Sequence, residues 1–497
     1  MPVTSETQRG RESRIFELEP GRNCWRIARA GRAALIVDGC DYFRLLREAM
    51  LKAERQIMVI GWDLDTRIAL DEPGGRDDPP VHLGPFLSWL VRHRTGLNIH
   101  ILAWSGMAYS VLGRGSTLAR MARWKASRRI HFRLDGAHPR EASHHQKIVV
   151  IDDSMAFCGG IDVTADRWDR REHLDDEPGR RRPTTRRRYD PWHDATMALD
   201  GGAALALGDL ARLRWEAATE QRLVGAGGGG DAWPEELKPD FADIDVAIAR
   251  TRGRHGRWSE VREIEAAFVD LIAAARRFVY IETQYFASRI VAEAIGERLG
   301  EPDGPEFVVV NPKAGAGWLD ESVMGPARAE LVRSLERRDR YGRFRIYTPV
   351  TEGGADIYVH AKIMIVDDVV LRVGSANLNN RSMGLDSECD LIVDARLAAN
   401  RGAGETIARR RCDLLAEHLG TTPAEVAASF GETGSPIVTI ERLRKPEGRS
   451  LRPFQPPEFP AALAAVAKKE LLDPEGPDQP FEPMAGNRLL ARLRRRN

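Results

Sequence analysis

Two kinds of apolar pattern alternate along the chain. Asp41 to Arg55 (DYFRLLREAMLKAER) carries the 3.6-residue period of an amphipathic helix and feeds Gln56 to Trp62 (QIMVIGW), an apolar run of strand length. Glu260 to Arg277, followed by Phe278 to Thr283 (FVYIET), repeats the arrangement in the second half. Each half then offers another buried strand, Asn98 to Trp104 (NIHILAW) and Glu306 to Asn311 (EFVVVN). A helical stretch follows, then a third strand (Ile130 to Leu134, and Arg345 to Thr348), then one more. Continuous apolar strands interleaved with helices predict an α/β sandwich with sheets buried on both faces. The repetition predicts two copies of one unit facing each other.

The units are expected at 1–223 and 235–420, joined by a glycine-rich linker at 224–234 that contains GAGGGG (Gly225 to Gly230). Ala408 to Leu419 reads as a helix ended by Gly420. Residues 421–497 read as a proline-rich, basic extension that wraps the surface without a core of its own. Its terminal RLLARLRRRN reads as a solvated charge run.

Composition narrows the classes. The net charge of +1 gives no global attraction to nucleic acid. No run reaches the roughly 18–20 apolar residues of a membrane span, and the polar N-terminus lacks the apolar stretch of a signal peptide. Cys24, Cys40, Cys158, Cys389 and Cys412 form no CxxC pair and read as reduced thiols. The expected location is the cytoplasm or a membrane periphery, with signal-independent export as the other route; a monomer is expected.

The basic residues are almost all arginine, with nine lysines in the chain. Two of these stand in one pattern, His-x-Lys-x4-Asp: His145, Lys147, Asp152 and His360, Lys362, Asp367. Roughly 0.02 such matches are expected by chance. The match extends further, since Gly159 and Gly160 follow the first aspartate and Gly374 and Ser375 the second, with Asp162 and Asn377 at equivalent positions. Period-two alternation would put His145 and Lys147 on one face of a strand. The glycines would let backbone approach a substrate closely.

Displacement at a phosphodiester needs a nucleophile, a proton for the departing alkoxide, and cations on the non-bridging oxygens. Two imidazoles and two ammoniums supply all three at one site between the halves, without a metal or other cofactor. Each imidazole also needs a partner on its second nitrogen. Asp194 in PWHD is the expected partner of His145, and Glu388 in DSECD that of His360. The arginine-rich Arg167 to Arg188 stretch is either a phosphate entrance or a self-paired loop. Trp318 in AGAGWL reads equally as a membrane-dipping loop or a packed side chain.

With its duplicated HxKx4Dx6G(G/S) motif, the chain resembles the phospholipase D superfamily over roughly residues 22 to 420. The matching segments include GRNCWRI, VIGWDLD, IETQYF, GSANLNNRSMGLDSE and LLAEHLG. GGID and ETQYF are similar to the phosphatidylcholine-type branch, in its bacterial-like form, more than to the nucleases. The resemblance implies two α/β/α sandwich units about a pseudo-twofold with one active site at their interface. It implies a phosphoric diester hydrolase acting on phospholipid at a membrane surface through a phosphohistidine, with transfer to alcohols alongside hydrolysis. His145 would be the nucleophile and His360 the general acid and base. Lys147, Lys362, Ser375 and Asn377 would hold phosphate, while Asp152 and Asp367 brace the site. Asp162, a carboxylate where the second half has Asn377, is less suited to a phosphate. A cardiolipin synthase-like phosphatidyltransferase, a nuclease and a non-catalytic lipid-binding scaffold are the competing readings.

Overall fold

The computed structural model describes residues 16–459 apart from 74, 76–77, 108–115 and 316–317. The side chain of Trp318 and the terminal RLLARLRRRN lie outside the described residues.

The first half contributes strands Arg26–Val37 (β1), Gln56–Gly61 (β2), Asn98–Trp104 (β3), Ile130–Asp135 (β4), Ile148–Ile151 (β5), Met155–Gly159 (β6), Trp192–His193 (β7) and Ala195–Asp200 (β8). The second contributes Phe241–Arg252 (β9), Val261–Arg262 (β10), Phe278–Glu282 (β11), Glu306–Val310 (β12), Phe344–Val350 (β13), Tyr358–Val359 (β14), Ile363–Val366 (β15), Val370–Gly374 (β16), Glu388–Asp394 (β17) and Ser450–Pro453 (β18). Among the described residues one sheet runs β18-β13-β12-β11-β15-β16-β17-β9-β1-β8-β6-β5-β2-β3-β4. Read outward from the β9–β1 pair, the halves follow the same order. β11, β12 and β13 are parallel like β2, β3 and β4, and β15 and β5 each join antiparallel at the inner edge.

The predicted helix after β1 spans Gly39–Leu51 and buries Tyr42, Phe43, Leu45, Leu46, Ala49 and Met50, the three-to-four spacing of one apolar face. Its counterpart Glu263–Ala274 buries Ile264, Ala267, Phe268 and Leu271. The largest core joins both halves: Leu35 and Met197 pack in the same cluster as Val246 and Leu391.

Two expectations change. Residues 423–453 do not merely wrap the surface. Thr422 and Glu425 form a capping box at helix Pro423–Thr433, helix Pro436–Leu443 follows, and β18 extends the sheet beside β13. Val426, Ile440 and Leu451 are fully buried in the shared core. The glycine-rich segment is also tied down: the Ala226 N–H donates to Asp153 Oδ2 at 2.8 Å, and the Ala226 and Gly230 carbonyls accept from Arg55 and Ser154 at 3.0 and 3.2 Å. The predicted helix ahead of Gly420 spans Ala403–Leu419, with that glycine left-handed at φ 59°. No helix among the described residues is long and apolar enough to cross a membrane.

Candidate active site

The histidine and lysine of each motif stand just outside the strands predicted to carry them: β5 begins at Ile148 and β15 at Ile363. Their backbone pairs across the halves instead. The His145 N–H donates to the Ser387 carbonyl at 2.9 Å, and the His360 N–H donates to the His193 carbonyl at 2.7 Å. Short parallel pairing of β7 with β14 extends the second contact, Trp192 opposite Tyr358 and His193 opposite Val359.

This crossing corrects the expected partners. His145 Nδ1 lies 3.0 Å from each oxygen of Glu388, and His360 Nδ1 lies 2.6 Å from Asp194 Oδ2. Each imidazole is therefore oriented by a carboxylate of the opposite half. The residue that follows each cross-paired carbonyl is the acid, so backbone pairing delivers Glu388 to His145 and Asp194 to His360.

Both carboxylates are fully buried and further held. Ser375 Oγ and Ser382 Oγ donate to Glu388 at 2.5 and 2.7 Å, and the Ala195 N–H donates to Asp194 at 2.8 Å. Burial raises Glu388 and Asp194 to about 7. Burial, then the neighbouring lysines, pushes both imidazoles well below the usual histidine range. Nδ1–H pointing at a carboxylate leaves Nε2 with its lone pair, the tautomer a nucleophile needs.

Lys147 Nζ pairs with Asp162 Oδ2 at 3.1 Å, and Lys362 Nζ lies 3.4 Å from Gln284 Oε1. Burial lowers Lys362 to about 7. Asn377 Nδ2 reaches the same Gln284 oxygen at 3.4 Å.

His145, His360, Asp162 and Asn377 line one cleft of about 910 Å³. Asp152 and Asp367, grouped with the catalytic residues by the motif, do not. Asp152 accepts the N–H groups of Glu54, Arg55 and Gln56 at 2.7–2.9 Å, and Asp367 those of Arg276, Arg277 and Phe278 at 2.7–2.8 Å. Each carboxylate caps the turn into the neighbouring antiparallel strand, from a left-handed position at φ 51° and 56°. Nor do Gly159, Gly160, Gly374 and Ser375 line the cleft. A Cβ on Gly160 would stand 2.1 Å from Asp194 Oδ1, and one on Gly374 would stand 1.9 Å from Asp390 Oδ1. Gly160 and Gly374 thus permit close approach to the chain's own carboxylates, and Gly159 to the Thr196 backbone.

Sequence reasoning passed over the cleft walls. Trp62 stacks on Trp104 at 5.6 Å, and Trp192 on Tyr358 at 4.7 Å with the Arg167 guanidinium 4.3 Å from the Trp192 ring. Tyr358 stands two places before His360 and Gln284 sits within ETQYF, signals available but unused. The arginines of the 167–188 stretch divide between the cleft and ion pairs. Arg167 and Arg182 reach the cleft. Arg171 and Arg180 are consumed by Asp413 and Asp169 at 3.0 and 3.1 Å.

Residues 268–405 match the family described as cardiolipin synthase, PLD-like domain. Phospholipase D A of Dictyostelium discoideum is 25% identical over 78% of this chain and 36% of its own length. Phospholipase D1 of Saccharomyces cerevisiae is 27% identical over 78% of this chain and 28% of its own. The chain thus spans about a third of the length of these relatives. The crystal structure of phosphatidylserine synthase from Haemophilus influenzae shares the fold at a TM-score of 0.51, with 15% identity over 77% of this chain and 88% of that one.

Proposed function

The chain belongs to the phospholipase D superfamily, and on that premise we propose that it is a phospholipase D-type phosphodiesterase. It would cleave glycerophospholipids to phosphatidic acid and a headgroup alcohol, and transfer the phosphatidyl group to alcohols. The observation that carries this reading is the pair of crossed His–carboxylate contacts whose imidazoles line one cleft, with Lys147 and Lys362 set behind them, 2.9 Å from the His145 carbonyl and 3.1 Å from His360 Nδ1.

His145 Nε2 attacks phosphorus as the bond to the headgroup oxygen breaks. Lys147 and Lys362 offset charge on the non-bridging oxygens, and the departing oxygen takes its proton from His360. The negative phosphodiester offsets the two ammoniums that depress His360, so binding itself favours the imidazolium that must donate. The short contact to Asp194 stabilises that cation. Water or an alcohol then gives a proton to His360 and displaces His145 from phosphorus, regenerating both imidazoles.

The cleft walls favour a lipid headgroup over nucleic acid. Glu141, Asp166, Asp190 and Asp386 interrupt Arg140, Arg167, Arg182 and Arg381 around the mouth, which is not the continuous basic track a polyphosphate requires. Incubation with phosphatidylcholine or phosphatidylethanolamine vesicles plus ethanol should yield phosphatidylethanol. Absence of that product together with plasmid nicking would reassign the chain to the nucleases.

A phosphatidyltransferase is the second reading, favoured by the description of the family that residues 268–405 match. Phosphatidylglycerol vesicles without added alcohol separate the two, since a synthase makes cardiolipin where a lipase makes phosphatidic acid.

A further inference from the structure

Behind the catalytic His360–Asp194 pair lies a second cluster that the proposed chemistry does not use. Asp38, His173, His193 and Glu417 are buried, and one oxygen or ring nitrogen of each lies within 4.8 Å of all the others. They come from four distant places: the end of β1, the arginine-rich insertion, β7, and the C-terminal end of helix Ala403–Leu419.

We infer that Asp38, His173, His193 and Glu417 form a closed structural site for a divalent ion of the zinc class. His173 Nε2 is 3.1 Å from Glu417 Oε1 and 3.5 Å from Asp38 Oδ2. His193 Nδ1 is 2.8 Å from Glu417 Oε1 and 3.3 Å from Asp38 Oδ1. Ligands about 2.0–2.1 Å from a tetrahedral zinc stand about 3.3 Å apart, so these separations suit an ion at the centre.

His173 Nε2 meets Glu417 Oε1 at hydrogen-bonding geometry, but the other three contacts do not form hydrogen bonds. His193 Nδ1 and Asp38 Oδ2 are buried without a hydrogen-bond partner among the described residues, although an oxygen or a nitrogen lies close to each. For His193 Nδ1 and Asp38 Oδ2, lone pairs converging on a point produce that geometry, and a donor facing an acceptor does not.

The surroundings match what metal-bound imidazoles require. The other nitrogen of each is held by a carboxylate, His173 Nδ1 by Asp169 at 2.9 Å and His193 Nε2 by Glu282 at 2.8 Å. Glu417 spends its second oxygen on Arg171 and Asp169 is paired with Arg180, which leaves Glu417 Oε1 facing the imidazoles. With neutral imidazoles, Asp38, Asp169, Glu282 and Glu417 outnumber Arg171 and Arg180. A divalent cation neutralises the excess in this dry volume. Four protein ligands leave no open position, which marks a structural rather than a catalytic ion.

The site has a mechanical consequence for catalysis. The Asp194 N–H donates to Asp38 Oδ1 at 3.0 Å, and the Asp38 N–H donates to the Asp194 carbonyl at 2.8 Å. An ion on Asp38 and His193 therefore fixes the backbone that aims Asp194 at His360, and through Glu417 it clamps helix Ala403–Leu419 to the first half.

The test uses the full chain, stripped with a chelator and dialysed against zinc chloride. About one equivalent should remain bound by elemental analysis, with melting raised relative to the stripped chain. Cobalt(II) should bind in its place with the intense visible bands of a four-coordinate ion. Glu417→Gln and His173→Gln should each lose the equivalent, whereas Glu388→Gln should keep it. A stripped wild-type chain that takes up no zinc and melts identically with and without it overturns the inference. So does zinc retained in full by both Glu417→Gln and His173→Gln. Both readouts are independent of lipid turnover, so the result stands apart from the proposed activity.

Discussion

His145 Nδ1 lies 3.0 Å from the carboxylate of Glu388, 243 residues further along the chain. The reciprocal contact, His360 with Asp194 at 2.6 Å, makes each acid the orienting group of the other half's histidine. Glu388→Gln should then slow formation of the phosphoenzyme on His145, while Asp194→Asn should slow the proton transfers of His360. Each loss should be about 10²–10⁴-fold in kcat. Rapid-quench labelling with a radiolabelled lipid separates them: the intermediate should be scarce in Glu388→Gln and should persist in Asp194→Asn. The opposite pattern would assign the nucleophile to His360.

The motif aspartates should behave as structural residues. Asp152→Ala strands the N–H groups of Glu54, Arg55 and Gln56, and Asp367→Ala those of Arg276, Arg277 and Phe278. About 2–4 kcal/mol of stability should be lost in each case, seen as a lower denaturation midpoint. Folded Asp152→Ala should keep kcat within about tenfold of wild type, far from a catalytic loss. A drop of several orders of magnitude at unchanged stability would place these residues in the chemistry after all.

Activity should be bell-shaped in pH. Glu388 accepts the Nδ1–H hydrogen bond of His145 on both its oxygens only when ionised, and its raised value of about 7 makes activity grow as pH rises through that point. Lys362 offsets phosphate charge only when protonated, and its lowered value of about 7 makes activity fall above it. Lys362→Arg stays charged and should move the alkaline limb upward whatever its absolute rate. Profiles of kcat/KM over a constant-ionic-strength buffer series decide this; an unmoved alkaline limb would rule out Lys362 as its source.

Gly160→Ala should damage activity more than stability. The new Cβ would stand 2.1 Å from Asp194 Oδ1, so the carboxylate must move from its place beside His360. A shift of about 1 Å at a catalytic group costs roughly 10²-fold. Gly431→Ala, in a helix with open space around the added carbon, serves as the control and should leave kcat unchanged.

Local chemistry was enough to read most elements and to single out His145 and His360, which line one cleft. The period of apolar positions placed β2, β3, β11 and β12, because a strand buried on both faces needs a continuous apolar run. The spacing of His145, Lys147, His360 and Lys362 announced phosphodiester chemistry, because few other tasks bring imidazoles and ammoniums together twice. What the sequence could not supply was partnership. Proximity along the chain pairs each acid with the histidine of its own half, yet the backbone of each His-x-Lys segment leaves its strand and pairs with the other half. Only that tertiary pairing decides that Glu388 serves His145 and Asp194 serves His360. It also decides that Gly160 and Gly374 make room for carboxylates and that the motif aspartates bind backbone. Hydrogen bonds between residues far apart in sequence leave no local period to read, so the choice of partner belongs to the folded structure alone.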